Sequence, residues 1–328
     1  MVSTLRVGIV GCGFIGEKRA RHLPAGALTL CCDTNLERAA AIARPHGAAV
    51  NADWRSAVTD DRIDAVVVAT THDLLAPIVT AALRAGKHVV VEKPAALRAE
   101  DLDEAVAIAR ERRLTVRVGF NHRHHRAFRE MRNIVDRGEL GPLTHVRARY
   151  GHGGRIGYDR EWRADPALAG GGEAIDQGMH VIDLARWFLG DFVDVHGFAE
   201  TYFWDMPVED NAFLLLRTKA RQVASLHASW SEWKNTFSFE LYGRVGKLEV
   251  TGLGGSYGTE RLAWYKMLPE LGPPETVIYE YPMSDDSWHV EYQSFLEDIR
   301  LKRPSDPGLE DAQAALRIVA ALYESNRP

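Results

Sequence analysis

The sequence predicts a doubly wound, parallel α/β domain followed by a second domain built on a mainly antiparallel β-sheet. Two changes along its 328 residues carry that reading. Up to about residue 120, short apolar runs alternate with longer amphipathic segments, the pattern of parallel strands covered by helices on both faces. Beyond about residue 140 the hydrophobic period drops to two, as expected of strands with one buried and one wet face. At ~100 to 200 residues per domain the length also predicts two domains, each able to hold its own core. We place them at 1–122 and 123–328, with the C-terminal helix able to pack back on the first.

In the first domain the runs Leu5 to Val10, Ala27 to Cys32, Asp64 to Ala69, His88 to Val91 and Thr115 to Gly119 are the strands. Asp101 to Arg113 illustrates the helices, because Leu102, Ala105, Val106 and Ala109 share one face. In the second domain Val146, Ala148 and Tyr150 alternate with arginines, and Phe237, Phe239 and Leu241 alternate with Ser238 and Glu240. Ala212 to Arg217 and Val223 to His227 are further strands, and Gly243 to Lys247 turns into Leu248 and Val250. Helices are expected near Gly178 to Leu189, at Trp288 to Arg300 and at Asp311 to Glu324, with Asp311 as the last N-cap.

Composition narrows the function. Hydrophobic residues at 46% and charged residues at 26% are globular values. Forty basic against 45 acidic residues give a net charge of -5, which excludes a protein that mainly coats nucleic acid and leaves a small molecule as the default partner. Three cysteines, Cys12, Cys31 and Cys32, suggest no disulfide framework and favour the reducing cytoplasm. Neither a leader peptide nor a membrane span is recognisable, so no membrane partner is expected. Of eight tryptophans only Trp54 precedes residue 150; the others fall between Trp162 and Trp288.

Directly after the first strand stands Gly11-Cys12-Gly13-Phe14-Ile15-Gly16, opening a helix. Gly11 permits the tight turn, Gly13 lets backbone approach a pyrophosphate, and Gly16 allows the helix to pack closely, while the helix N-terminus attracts negative charge. Asp33, 22 residues after Gly11, ends the second strand where a carboxylate can bind a ribose 2′-hydroxyl. That carboxylate repels a 2′-phosphate, and Thr34 and Asn35 supply no cation, so NAD is favoured over NADP.

At the end of the strand His88 to Val91 stands Glu92-Lys93-Pro94. Ligands gather at the carboxyl ends of such strands, where Lys93 can hydrogen-bond a hydroxyl and stabilise a developing alkoxide. Further on, Gly170-Gly171-Gly172 leads into Glu173-Ala174-Ile175-Asp176-Gln177-Gly178-Met179-His180-Val181-Ile182-Asp183. If helical from about Ile175, this segment puts Asp176, His180 and Asp183 on one face. A histidine beside a carboxylate can act as a general base near neutral pH. Two other readings stay open: a core histidine satisfied by Asp183, or a metal site of Asp176, His180 and an outside ligand.

These motifs together resemble the Gfo/Idh/MocA oxidoreductases over nearly the whole chain. The resemblance rests on GCGFIG, on AALRAGKHVVVEKP from Ala81 to Pro94, on GFNHR from Gly119 to Arg123, on GGGEAIDQGMHVIDLARWFLG from Gly170 to Gly190, and on a helix ending in ALYES. One departure is visible. Many members carry a Thr-Pro-Asn-like turn and then a histidine after the fourth strand, where this chain reads Thr70-Thr71-His72-Asp73. Thr70 and Thr71 remain candidate backbone contacts to the cofactor, together with Phe14, Ile15, Glu92 and Lys93.

The resemblance implies a Rossmann domain, an open-faced sheet domain often used in dimers or tetramers, and an active site served by both. It implies reversible oxidation of a secondary alcohol on a sugar, sugar acid, cyclitol or nucleotide-linked sugar. Carried onto this sequence, His180 resembles the proton-transfer residue, Lys93 the hydroxyl-binding partner and Asp176 the carboxylate that positions substrate. The loop with Asn121 and Arg123 is placed beside the substrate, where Arg123 could bind a carboxylate or phosphate, and Trp162 and Arg163 lie where members close over it. His122, His124 and His125 lack the cysteine or carboxylate set of a closed zinc site, so no metal is expected. Two other functions compete: a non-enzymatic, dinucleotide-bound sensor, and a redox isomerase or eliminase that recycles its NAD.

Overall fold

Strands that are apolar on both sides need cover on both sides, and that requirement sets the first layers. The computed structural model describes residues 5–326. Strands β1 (Val7–Val10), β2 (Leu28–Cys32), β3 (Ala49–Asn51), β4 (Ala65–Val68), β5 (His88–Val91) and β6 (Val116–Val118) form a parallel sheet in the order β3-β2-β1-β4-β5-β6. Val7, Ile9, Val66, Val68, Val89 and Val91 are fully buried in it. Helices α1 (Phe14–Arg21), α2 (Leu36–Ala43), α3 (Arg55–Thr59), α4 (His72–Arg84) and α5 (Asp103–Arg112) fall between the strands. Asn35 caps α2, its side chain accepting from the amides of Glu37 and Arg38. The strand order reverses between β1 and β4, so the segments leaving these strands part at the carboxyl edge where such sheets bind ligands. β3 is absent from the sequence reading: its three residues are all exposed and form no apolar run.

The second sheet contains β7 (Leu143–Gly151), β8 (Phe192–Glu200), β9 (Asn211–Thr218), β10 (Val223–Ser229), β11 (Thr236–Gly243), β12 (Gly246–Thr251), β13 (Glu260–Lys266) and β14 (Glu275–Tyr281). Their order is β14-β13-β12-β11-β7-β10-β9-β8, antiparallel except where β7 pairs with β10. Helices α6 (Arg126–Asp136) and α8 (Met179–Leu189) pack on one face, and α7 (Pro166–Ala169) is a single turn before the glycine cluster. Phe128 and Met131 of α6 are buried, as are Phe239 and Leu241 of β11 and most of α8. The opposite face is open at Phe198, Phe213 and Leu215. Strands β8, β13 and β14 escaped the sequence reading, because β8 and β14 are half-exposed along their whole length and β13 has no regular alternation.

The chain passes between two compact units at Phe120–Asn121, and the first unit also takes Trp288–Gln313. The remainder of the chain, Asn121–Ser287 and the segment from Ala314, makes the second. Helix α9 (Ser287–Leu301) therefore belongs mostly with the parallel sheet, for a packing reason: Tyr292 and Phe295 join the core of Val7, Ile9, Leu28 and Val67. Arg117 of β6 adds a buried ion pair to Asp298. Helix α10 (Leu309–Ser325) starts two residues before Asp311, so Asp311 is not its N-cap residue. Its carboxylate instead reaches back to the amide of Gly308 at 2.9 Å.

Candidate active site

In the first unit the loop between β1 and α1 is shaped by its glycines. Gly11 has φ of +90°, and a Cβ there would lie 2.4 Å from the carbonyl oxygen of Ala69. A Cβ on Gly16 would lie 1.9 Å from the Gly11 carbonyl oxygen, so only glycine lets helix and loop close up. Gly13 is the opposite case: among the described residues nothing lies within 4 Å of its Cβ position, and it precedes the first turn of α1. That open space at a helix N-terminus fits a pyrophosphate. Phe14 is exposed beside it, and Ile15 is half-buried. Asp33 accepts from the Cys12 amide at 2.7 Å and the Asn35 amide at 2.8 Å, which fixes its carboxylate at the loop's rim as a ribose contact requires. After β4, Thr70 and Thr71 are half-buried at the start of α4, and the Thr71 hydroxyl donates to Asp73 at 2.6 Å.

The Glu92-Lys93-Pro94 turn follows β5 and is closed by the Ala95 amide on the Glu92 carbonyl at 3.0 Å. Lys93 is half-buried there. The Glu92 side chain is turned inward: Arg19 of α1 donates to it from Nε at 2.7 Å and also binds Glu291 of α9. Arg19 lies over the Trp288 ring at 4.4 Å from its centroid. The Glu92 carboxylate thus braces the turn from within.

In the second unit the glycine cluster delivers Asp176 and His180. Glu209, preceding β9, accepts from the amides of Gly172 at 3.0 Å and Ala174 at 2.9 Å and from the Tyr323 hydroxyl of α10 at 2.7 Å. Burial pushes the Glu209 carboxyl pKa up against the pull of these donors. The expected α-helix from Ile175 begins instead as a π-helical turn, Ala174–Gly178, and becomes α-helical at Met179. Such wide turns recur at functional sites. Asp176 is 6% exposed and accepts from Arg163 Nε at 2.9 Å, and the Arg163 guanidinium lies over the Trp162 ring. Trp162 and Arg163 form one short turn, both half-buried.

His180 is 7% exposed, with its ring centroid 3.9 Å from that of His122. Tyr150 of β7 approaches both rings, and Tyr257 approaches Tyr150. Burial raises the Tyr150 hydroxyl well above its ordinary pKa and pushes Tyr257 up to about 12, so both stay protonated near neutrality. Asn121 is buried and donates to Ser287 at 3.0 Å. Arg123 is 4% exposed and forks onto both oxygens of Asp183 at 2.8 and 2.6 Å. Arg123 thus has its charge matched inside the protein by Asp183. The histidine cluster disperses as well, since His122 faces His180 while His125 binds Glu260 at 3.1 Å. Among the described residues no group of three or more metal-ligating side chains is arranged to hold an ion. No helix there is long and apolar enough to cross a membrane.

Sequence reasoning missed Glu209, Tyr150 and Tyr257. Only the alternation that puts Tyr150 on the buried face of β7 was available to find any of them.

A parallel sheet with this loop, Asp33 at its rim and a second unit carrying Asp176 and His180 defines an NAD-dependent oxidoreductase. Residues 5–120 match the oxidoreductase family with NAD-binding Rossmann fold, and residues 128–249 match the GFO/IDH/MocA C-terminal domain. The chain belongs to the GFO/IDH/MocA oxidoreductase family. It is 34% identical to inositol 2-dehydrogenase 3 of Saccharopolyspora erythraea, over 98% of this chain and 93% of that one. Levoglucosan dehydrogenase of Pseudarthrobacter phenanthrenivorans is 27% identical, over 75% and 73%. A solved structure of levoglucosan dehydrogenase in complex with NADH superposes with a TM-score of 0.86 at 25% identity, covering 98% of each chain.

Proposed function

We propose that this enzyme reversibly oxidises a secondary alcohol of a neutral sugar or cyclitol, with His180 as proton acceptor and Lys93 as the hydroxyl's hydrogen-bond donor. NAD, when bound, supplies the hydride acceptor. The observation that carries the reading is the buried Asp176 and His180 on one continuous helical segment, with Asp176 oriented by Arg163. A neutral imidazole so placed can take the hydroxyl proton, and an ammonium at Lys93 lowers the energy of the alkoxide left behind. Asp176 can accept from a neighbouring substrate hydroxyl while Arg163 orients it.

Charge supports the neutral substrate class. Arg123 is matched by Asp183 and Arg163 by Asp176, so two cations that would otherwise meet a sugar acid or a diphosphate already have carboxylate partners. The names of the relatives divide on this point: inositol and levoglucosan dehydrogenases act on neutral polyols, whereas two others are named as reductases of a dTDP-linked sugar. The open sheet face at Phe198, Phe213 and Leu215 is the surface we assign to self-association.

The test is reduction of NAD with a panel of inositols, anhydrosugars and hexoses beside uronic acids and nucleotide-linked sugars. Turnover on a neutral polyol is expected, and His180→Ala should lower kcat by ~10²- to 10⁴-fold with NAD binding retained. Preference for acidic or nucleotide-linked sugars would overturn the substrate class; near-normal turnover of the variant would remove His180 from the reaction.

A further inference from the structure

We propose that His122 is the positioning residue that sets the proton affinity of His180, the two closely apposed imidazoles sharing one positive charge between them. The inference deepens the reading above and rests on it for the role of His180.

The rings are tilted by 34° with centroids 3.9 Å apart, and the side chains are buried. At that separation a second positive charge is strongly opposed by the first, so such a pair titrates in two macroscopic steps rather than as two independent groups. A single charge is favourable, because one imidazolium lies against the face of a neutral ring. Asn121 gives His122 the means to take its share. Its Nδ2 donates to Ser287, which turns Oδ1 toward His122 Nδ1 at 3.3 Å, where it can accept that N–H.

The other groups around the pair show why a counterweight is needed. The preceding π-helical turn contributes Asp176, with Arg163 beside it, and buried Glu173 comes just before. One turn further along α8 is Asp183, neutralised by Arg123. From β7 comes the protonated Tyr150, backed by Tyr257. On the far side of His122 stands His125, 5.5 Å away between ring centroids and bound to Glu260, with Asp285 at 3.9 Å. A negative charge on Asp176, one helical turn before His180, would favour a protonated imidazole, which could not act as a base. The second imidazole opposes this and keeps one ring of the pair neutral at neutral pH.

The experiment is an NMR titration of histidine-labelled, full-length protein without substrate, alongside the pH profile of kcat/KM. In the unsubstituted protein His122 and His180 should each show two inflections, at the same two pH values. His122→Gln and His122→Phe should collapse His180 to one inflection, displaced upward by about one unit or more, and move the acidic limb of kcat/KM with it. Independent single-step titrations in the unsubstituted protein, which needs no variant to fold, would overturn the proposal. So would an unmoved His180 titration in either variant. Full activity of His180→Ala, alongside a coupled titration in the unsubstituted protein, would instead sink the assignment of His180 as base and leave the coupling standing.

Discussion

Arg123 and Asp183 meet at two points in the interior, with Nε and a terminal nitrogen each donating to a separate carboxylate oxygen and both side chains nearly inaccessible. Removing one partner strands a buried charge, which typically costs ~3 to 5 kcal/mol. Arg123→Ala and Asp183→Asn should therefore lower the urea midpoint markedly. Arg123→Lys should recover only part of the loss, because an ammonium cannot fork onto two oxygens. A variant of normal stability with a raised substrate KM would return Arg123 to the role of anion binder.

Gly172 offers a backbone test. A Cβ there would sit 1.9 Å from the Glu209 carbonyl oxygen, an atom fixed in the chain. Overpacking typically costs ~1 to 3 kcal/mol, and Gly172→Ala should reach the upper end and also depress kcat, since the same loop carries Asp176. Unaltered thermal stability would show that the loop can shift without harm.

Gly13 should behave in the contrary way. With open space at its Cβ position among the described residues, Gly13→Ala should change the stability of the cofactor-free protein by no more than ~0.5 kcal/mol. NAD affinity, read by calorimetry, should fall about tenfold, equivalent to ~1.4 kcal/mol. Equal affinity would mean that the pyrophosphate does not approach this residue.

Stability should fall on mild acidification through the partly buried histidines. His88 Nδ1 accepts the Thr115 amide at 3.0 Å, and burial, partly offset by Asp64, lowers its pKa from 6.5. His145, His152 and His227 are lowered as well, each chiefly by burial. The unfolded chain binds these protons near 6.5 while the folded chain resists them. The stabilisation is thus complete above 6.5 and is lost as pH falls below it toward the folded values. His88→Asn keeps an acceptor for Thr115 without the titration, so Tm between pH 7 and 5 should fall less steeply. An unchanged slope would exclude His88 from the effect.

What could be read in advance was what is local. The loop from Gly11 to Gly16 and its companion Asp33 reveal themselves through turn chemistry and a fixed spacing. Asp176 and His180 were found by helical periodicity even though the turn between them proved wider than α. The pairing of Arg123 with Asp183 joins residues 60 positions apart, and Glu209 reaches Tyr323 across 114, separations at which one sequence gives no signal. Strands β3, β8 and β14 were missed for a different cause: exposed or half-exposed residues leave little hydrophobic pattern to read.

The Tyr323 hydroxyl on Glu209 ties the tail of α10 to the strap of glycines ahead of Asp176. On the role proposed for Asp176, loss of Tyr323 would reach the site through Glu209 and the backbone of residues 172–174. The helix that carries Tyr323 is then a support of the proposed site rather than expendable trim.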